Sequence, residues 1–215
     1  MDTPQAIEEI RLIGGNLALD LANTRDTAPS GVPGFDRLLD YRHLLAWAAR
    51  VGVVSSEGLD DAARRADGRS DEAAAALSRA RALRADIFEV FESIARDQSP
   101  PADRLESLKR LHGEAITHGS LVQRGDAFSW DWSDDEELVS VLWPVVHAAT
   151  ELLTSAELKR VKRCGRCSWL FIDGTKNRSR RWCSMEGCGT DEKSERFVER
   201  RRAGRRRAQS APNQG

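Results

Sequence analysis

Four cysteines are the residues of this chain best equipped for chemistry. They fall as two close pairs, Cys164-Gly-Arg-Cys167 and Cys183-Ser-Met-Glu-Gly-Cys188, with fifteen residues between the pairs. Paired thiols at these short spacings suit a tetrahedral zinc site, because each short turn delivers two sulfurs to one ion. Four thiolates close the tetrahedron and leave no position for water. The expected cofactor is therefore one structural Zn²⁺ held by Cys164, Cys167, Cys183 and Cys188. A module this small buries too little apolar surface to fold alone, so the metal would supply much of its folding free energy. The competing chemistry for Cys164-x-x-Cys167 is a thiol redox pair. The second pair at ligand spacing favours zinc over it.

Cations crowd the same stretch. Residues 158–207 hold 17 Lys+Arg against 6 Asp+Glu, a net of +11, whereas residues 1–157 carry a net of −12. This asymmetry is hidden in an overall charge of −1, and it points to a polyanionic partner. The candidate DNA-binding residues are Lys176, Arg178, Arg180 and Arg181 between the cysteine pairs, then Lys193, Arg196 and Arg200 beyond them. The last three recur at i, i+3 and i+7 on one helical face, and Arg201, Arg202 and Arg205–Arg207 extend the charge. Arginine suits phosphate because its planar fork donates two bonds at once. The alternative is a solvated basic helix without a specific partner.

The elements that must position these groups can be sketched from periodicity. Gly165 suits a tight knuckle, Trp169–Ile172 a short strand, Asp173-Gly174 a turn, and a helix is expected from Thr190, with Asp191 and Glu192 in its first turn and Phe197 packed back on the zinc core. Upstream, helices are expected over 13–24, 37–51, 71–97 and 102–117, with at most a short one in 55–70 and a loop over 25–36. Residues 120–132 alternate aromatic and polar residues around Arg124-Gly125-Asp126, which predicts a β-hairpin. Ser133-Asp134-Asp135-Glu136 reads as a capping box for a helix carrying Leu138 to Leu152, with a kink or break near Trp143 imposed by Pro144. The fold class is therefore mainly α with a small β-hairpin: a helical domain over 1–158, a treble-clef-like four-cysteine finger over 159–203 and a basic tail without fixed structure over 204–215.

Little else in the chain carries chemistry. Asp20, Asn23 and Thr24 end the first helix and are the candidate ligand-pocket residues, or they bond nearby backbone. His43 has no evident partner, and His112 and His118 are six apart, which does not align them for metal. No phosphate-cradling glycine loop, His-Glu-x-x-His or Gly-x-Ser-x-Gly occurs, so no enzyme is read. No stretch approaches the ~18 apolar residues of a membrane span, and the N-terminus has no signal-peptide pattern. The expected location is the cytoplasm, without membrane contact.

The stretch LFIDGTKNRSRRWCSMEGCG resembles the CGNR-type zinc finger that ends bacterial ABATE-domain proteins. IGGNLALDLANT, LLDYRHLLAWA and SWDWSD…LWPVVHAATELLTS…LKRVKRCG are similar to the ABATE domain itself. The resemblance implies a stress-response transcription regulator, with a ligand-sensing N-terminal domain and a finger that binds DNA. It also implies Asn and Arg after Cys188-Gly189, where this chain has Thr190 and Asp191. An acid there opposes phosphate binding. The expected partners are DNA, a small-molecule effector and, for two-fold operators, a second copy of the chain. Two rival readings stay open: a zinc-stabilised protein-interaction module whose basic face meets protein acid, and an enzyme using Asp20 as acid or base.

Overall fold

A computed structural model of the chain describes residues 7, 10–27, 33–132 and 136–209, without the side chains of 27, 33, 34, 56, 57 and 204–209. The first helix, α1 (Leu17–Ala22), is capped by Asn16, whose side chain accepts from the Ala18 N–H. The Gly14-Gly15 pair ahead of it is required for two reasons. A Cβ on Gly14 would lie 2.9 Å from the Asp20 backbone nitrogen, and Gly15 has φ of +73°.

Residues 25–36 are not simply a loop. They pair as two short antiparallel strands, β1 (Arg25–Thr27) and β2 (Pro33–Asp36). Their turn-rich composition misled because distant residues hold the strands. Arg84 clamps Asp36 through two bonds of 2.6 and 2.5 Å and reaches the Thr24 hydroxyl at 3.1 Å, while Arg37 pairs with Asp26 at 2.9 Å.

The helix α2 (Tyr41–Arg50) begins later than its apolar stripe suggests, because Asp40 caps it by accepting from the His43 N–H. The same carboxylate takes His43 Nδ1 at 2.7 Å, so His43 does have a partner. The helix α3 (Ser56–Asp67) is longer than expected. Among its described side chains it buries only Ala62 and Ala66, and small side chains give a faint periodic signal. The long helix α4 (Ser70–Ala95) runs through the core on Leu83, Ile87, Val90 and Phe91, and α5 (Ala102–His118) packs against it.

The hairpin forms as expected from β3 (Ser120–Arg124) and β4 (Ala127–Asp131), in full register from Ser120↔Asp131 to Arg124↔Ala127. Gly125 supplies the positive φ of its turn, and the Trp132 indole N–H donates to the Ala115 carbonyl at 2.7 Å. A 3₁₀ segment, Leu138–Leu142, then leads into α6 (Trp143–Thr154), where Pro144 sits in the first turn. The break falls at Trp143 because proline fits a helix start and not its interior. The capping box expected at 133–136 lies largely outside the described residues.

After α6 come a 3₁₀ turn, Ala156–Arg160, the antiparallel pair β5 (Val161–Arg163) and β6 (Leu170–Ile172), a π-helical turn, Met185–Gly189, and the helix α7 (Thr190–Gln209). That helix continues into the segment expected to be a tail; residues 210–215 lie outside the described ones. Val161 and Leu170 belong to the large core of α1, α2, α4 and α6. A smaller core surrounds the cysteines, with Phe171 fully buried and Ile13, Trp169 and Trp182 packed around it. Among the described residues, no helix is long and apolar enough to cross a membrane.

Candidate metal centre

The first cysteine pair sits on the turn between β5 and β6. Cys164 N–H donates to the Trp169 carbonyl at 2.8 Å and closes the knuckle. The left-handed position of that turn belongs to Ser168, at φ +67°, whose hydroxyl is buried and accepts from the Arg163 guanidinium. Gly165 has a different task from the one its place in the knuckle suggests. A Cβ there would meet the Trp182 ring at 2.8 Å, so glycine allows that indole to close over the site. The second pair brackets a π-helical turn, Met185–Gly189, whose start is capped by Ser184 accepting from the Gly187 N–H. This turn swings Cys188 back toward Cys183 and launches α7.

All four sulfurs lie within 4.8 Å of one another, with Cys167–Cys183 at 3.4 Å and Cys183–Cys188 at 3.6 Å. A disulfide needs about 2.05 Å. A tetrahedron with Zn–S bonds of about 2.3 Å has edges of roughly 3.8 Å. The donor set fits one structural zinc ion, and no side chain leaves a coordination position open. Cys164 and Cys183 are buried and Cys167 and Cys188 half-buried. Without a cation, thiols this crowded cannot all ionise. Hydrogen bonds from Cys167 and Cys183 pull Cys164 down, while the bond with Cys164, aided by burial, pushes Cys167 up to about 12, and bonds with Cys164 and Cys167 push Cys183 higher still. A bound divalent ion inverts that balance and favours four thiolates.

Asp173 organises the link between the pairs. It is fully buried, and it accepts from the Thr175 hydroxyl at 2.6 Å and amide at 3.0 Å, from the Arg180 amide at 2.9 Å, and from Lys162 Nζ at 3.0 Å. Burial opposes its ionisation, but these donors prevail and hold its carboxyl well below the usual range. A depressed pKa means that its stabilisation is complete above the unfolded value near ~3.9 and is lost as pH falls through the folded one. Thiolates protonate at higher pH than this. In an acid titration the zinc is expected to leave first and the 173–180 turn to gain hydrogen-exchange lability at lower pH. Simultaneous loss of both would show that the turn depends on the metal alone.

The finger is built into the helical domain. Asn23 receives the Leu170 N–H on its oxygen and donates to the Leu170 carbonyl, both at 2.9 Å, within a buried site. Ile172 N–H donates to the Gly14 carbonyl at 2.9 Å, and the Trp169 indole to Asp26 at 3.0 Å. Arg163 meets Glu92 at 2.7 Å, and Arg37 lies over the Trp169 ring.

A family model for ABATE, described as "Putative stress-induced transcription regulator", matches residues 15–156, and one for the CGNR zinc finger matches residues 160–201. This chain belongs to the ABATE family. No curated protein matches it. The four-cysteine cluster is the metal centre of its CGNR finger.

In this ABATE protein the expected DNA-contacting residues divide. Lys176, Arg178, Arg181, Lys193, Arg196 and Arg200 are all exposed. Arg181 lies over the Trp182 ring, and Arg196 bonds Glu192 at 2.8 Å. Arg180 turns inward instead: its guanidinium covers Phe171 at 4.7 Å and donates to the Trp182 and Cys183 carbonyls, so it braces the metal site. Phe197 does not pack on the zinc core. It is 60% exposed, with Arg201 over its ring, because α7 runs out from the finger. The departure at Thr190-Asp191 also gains a physical account. Arg166, in the knuckle, makes two 2.6 Å bonds to Glu195 and lies 3.6 Å from Asp191. Asp191 thus helps clamp α7 to the knuckle.

The candidate pocket residues are engaged within the chain. Asn23 holds β6, the Thr24 hydroxyl donates to Leu21 and accepts from Arg84, and Asp20 accepts from the Gly14 N–H at 2.8 Å. Burial raises the Asp20 carboxyl, against those backbone bonds. Sequence reasoning missed one polar cluster. His112 Nε2 meets His147 Nδ1 at 3.3 Å, and His147 Nε2 meets Glu151 at 3.3 Å. His112 lies on α5 and His147 on α6, so no local spacing pairs them, whereas His147 and Glu151 stand at i, i+4 on α6.

Proposed function

We propose that this ABATE protein is a one-component transcription regulator whose CGNR finger presents α7 to DNA while the helical domain receives a signal. One observation carries the reading. From Lys193 through Ala203, α7 is exposed along its whole length, and Arg200 and Arg202 have no acid partner among the described residues. Such a helix can lay guanidinium groups along phosphates and displace counterions. Bound zinc would supply the folding energy that fixes its first turn.

The clamp from Arg166 to Glu195 sets the direction in which α7 leaves the finger. The hydrogen bonds from Asn23 to β6 make that direction depend on α1. A signal can act only by favouring one of two arrangements of finger and domain, and α1 is the element shared by both. The rival reading, in which the basic face meets the protein's own acidic domain, gains no support from a helix whose described side chains stay in solvent.

The test is a triple substitution, Arg200→Gln with Arg201→Gln and Arg202→Gln, in the zinc-loaded chain. Affinity for a DNA duplex at low salt is expected to fall by more than about tenfold, and the salt slope by roughly 0.9 for each phosphate that is no longer neutralised. Unchanged affinity would show that α7 is not the DNA-binding element.

A further inference from the structure

A cleft of about 920 Å³ opens on the helical domain, and its described lining residues all come from that domain. Its walls come from the α2–α3 corner, the β3–β4 hairpin and the 3₁₀ segment before α6. That volume lies within the range of small-molecule sites, roughly 300–1,000 Å³. The floor is apolar: Leu17 from α1, Leu45 from α2, Val141 from the 3₁₀ segment and the paired rings of Trp130 and Trp132, 6.0 Å apart.

Among the described residues, four charged side chains line this cleft. Arg124 and Asp131 satisfy each other at 2.8 Å. Glu137 sits in the field of Arg69, whose guanidinium donates to the neighbouring Glu136 carbonyl at 3.1 Å. Arg65 remains. It is exposed on α3 and has no hydrogen bond or ion pair among the described residues.

We infer that this cleft binds an apolar organic acid, its flat or chain-like body between the tryptophans and the α2 face and its anionic head on Arg65. A neutral apolar molecule would leave the guanidinium unused. A cation would meet Arg65 with like charge, while Asp131 is already taken by Arg124. The inference rests on the reading of the helical domain as the part that receives a signal. Leu17 gives it a consequence, since a ligand against this residue touches the short helix whose other end carries Asn23 and so holds β6.

Three fluorescent probes of similar body test the idea on the zinc-loaded full chain: anionic anilinonaphthalene sulfonate, neutral phenylnaphthylamine and cationic thioflavin T. The sulfonate is expected to bind one per chain, with energy transfer from tryptophan, about tenfold more tightly than the neutral probe, as one charge-assisted hydrogen bond allows. Arg65→Gln should erase that preference and leave the neutral probe unchanged. Ser140→Trp, which fills the cleft, should abolish binding of both while circular dichroism stays as in the parent. The inference is overturned if Arg65→Gln keeps the preference, if the filled cleft still binds, if thioflavin T binds most tightly, or if no probe binds. Probe binding is read without DNA, so its failure and a failure of DNA binding are separate results.

Discussion

Cys183→Ser is expected to cut zinc content from about one per chain to a small fraction, and to unfold the chain from Arg181 onward. Cys183 lies at the centre of the sulfur cluster, 3.4 Å from Cys167 and 3.6 Å from Cys188. Removing it leaves a site whose metal supplies a large part of the local folding energy, which in isolated zinc-finger peptides amounts to about 10–16 kcal/mol. The damage should stop at a defined place. Val161 and Leu170 are buried in the large core, and Asn23 and Gly14 hold β6 by hydrogen bonds that do not involve the metal. Hydrogen exchange read by mass spectrometry should show protection lost over residues 181–209 and kept in α1, α4, β5, β6 and the 173–180 turn that Asp173 holds. Protection lost throughout would mean that zinc holds the helical domain as well. Protection kept over 181–209 in a zinc-free chain would refute the metal's structural role.

Asn23→Leu is expected to destabilise the whole chain by about 2–6 kcal/mol. Leucine keeps the branched shape but offers neither the acceptor nor the donor that serves Leu170. Both backbone groups of Leu170 would then be buried without partners, at about 1–3 kcal/mol each. Against a total stability of about 5–15 kcal/mol this is a large fraction. Urea denaturation of the zinc-loaded protein measures it, and zinc stoichiometry at low urea should remain near one. A loss below about 1 kcal/mol would show that water or a shift of β6 replaces the amide, and that finger and domain are only loosely joined.

The metal site and most helices were legible in the sequence because their signals are local. Ligand spacing in Cys164-x-x-Cys167, the apolar period of α4 and α5, and Pro144 at a helix start each need only a few neighbours. The joint between finger and domain was not legible. Asn23 and Leu170 are 147 residues apart, and nothing near Asn23 distinguishes a residue that ends a helix from one that holds a strand. Arg180 was read as a phosphate ligand for a similar reason. Its charge is visible in the sequence, whereas the Phe171 ring and the two carbonyls that take its guanidinium are not. Gly165 shows the same limit in reverse. Its presence is plain in the sequence, but the Trp182 ring that requires it lies across the finger.

The central claim, that a zinc-fixed finger offers α7 to a polyanion, is tested most directly by the salt dependence of DNA affinity for the intact, zinc-loaded chain. The account predicts binding at low salt with a log–log slope of magnitude about 3 or more, since each phosphate neutralised contributes about 0.9. Binding should vanish on chelation of the zinc. A slope near zero, or no binding at all at ~50 mM salt, would contradict the account.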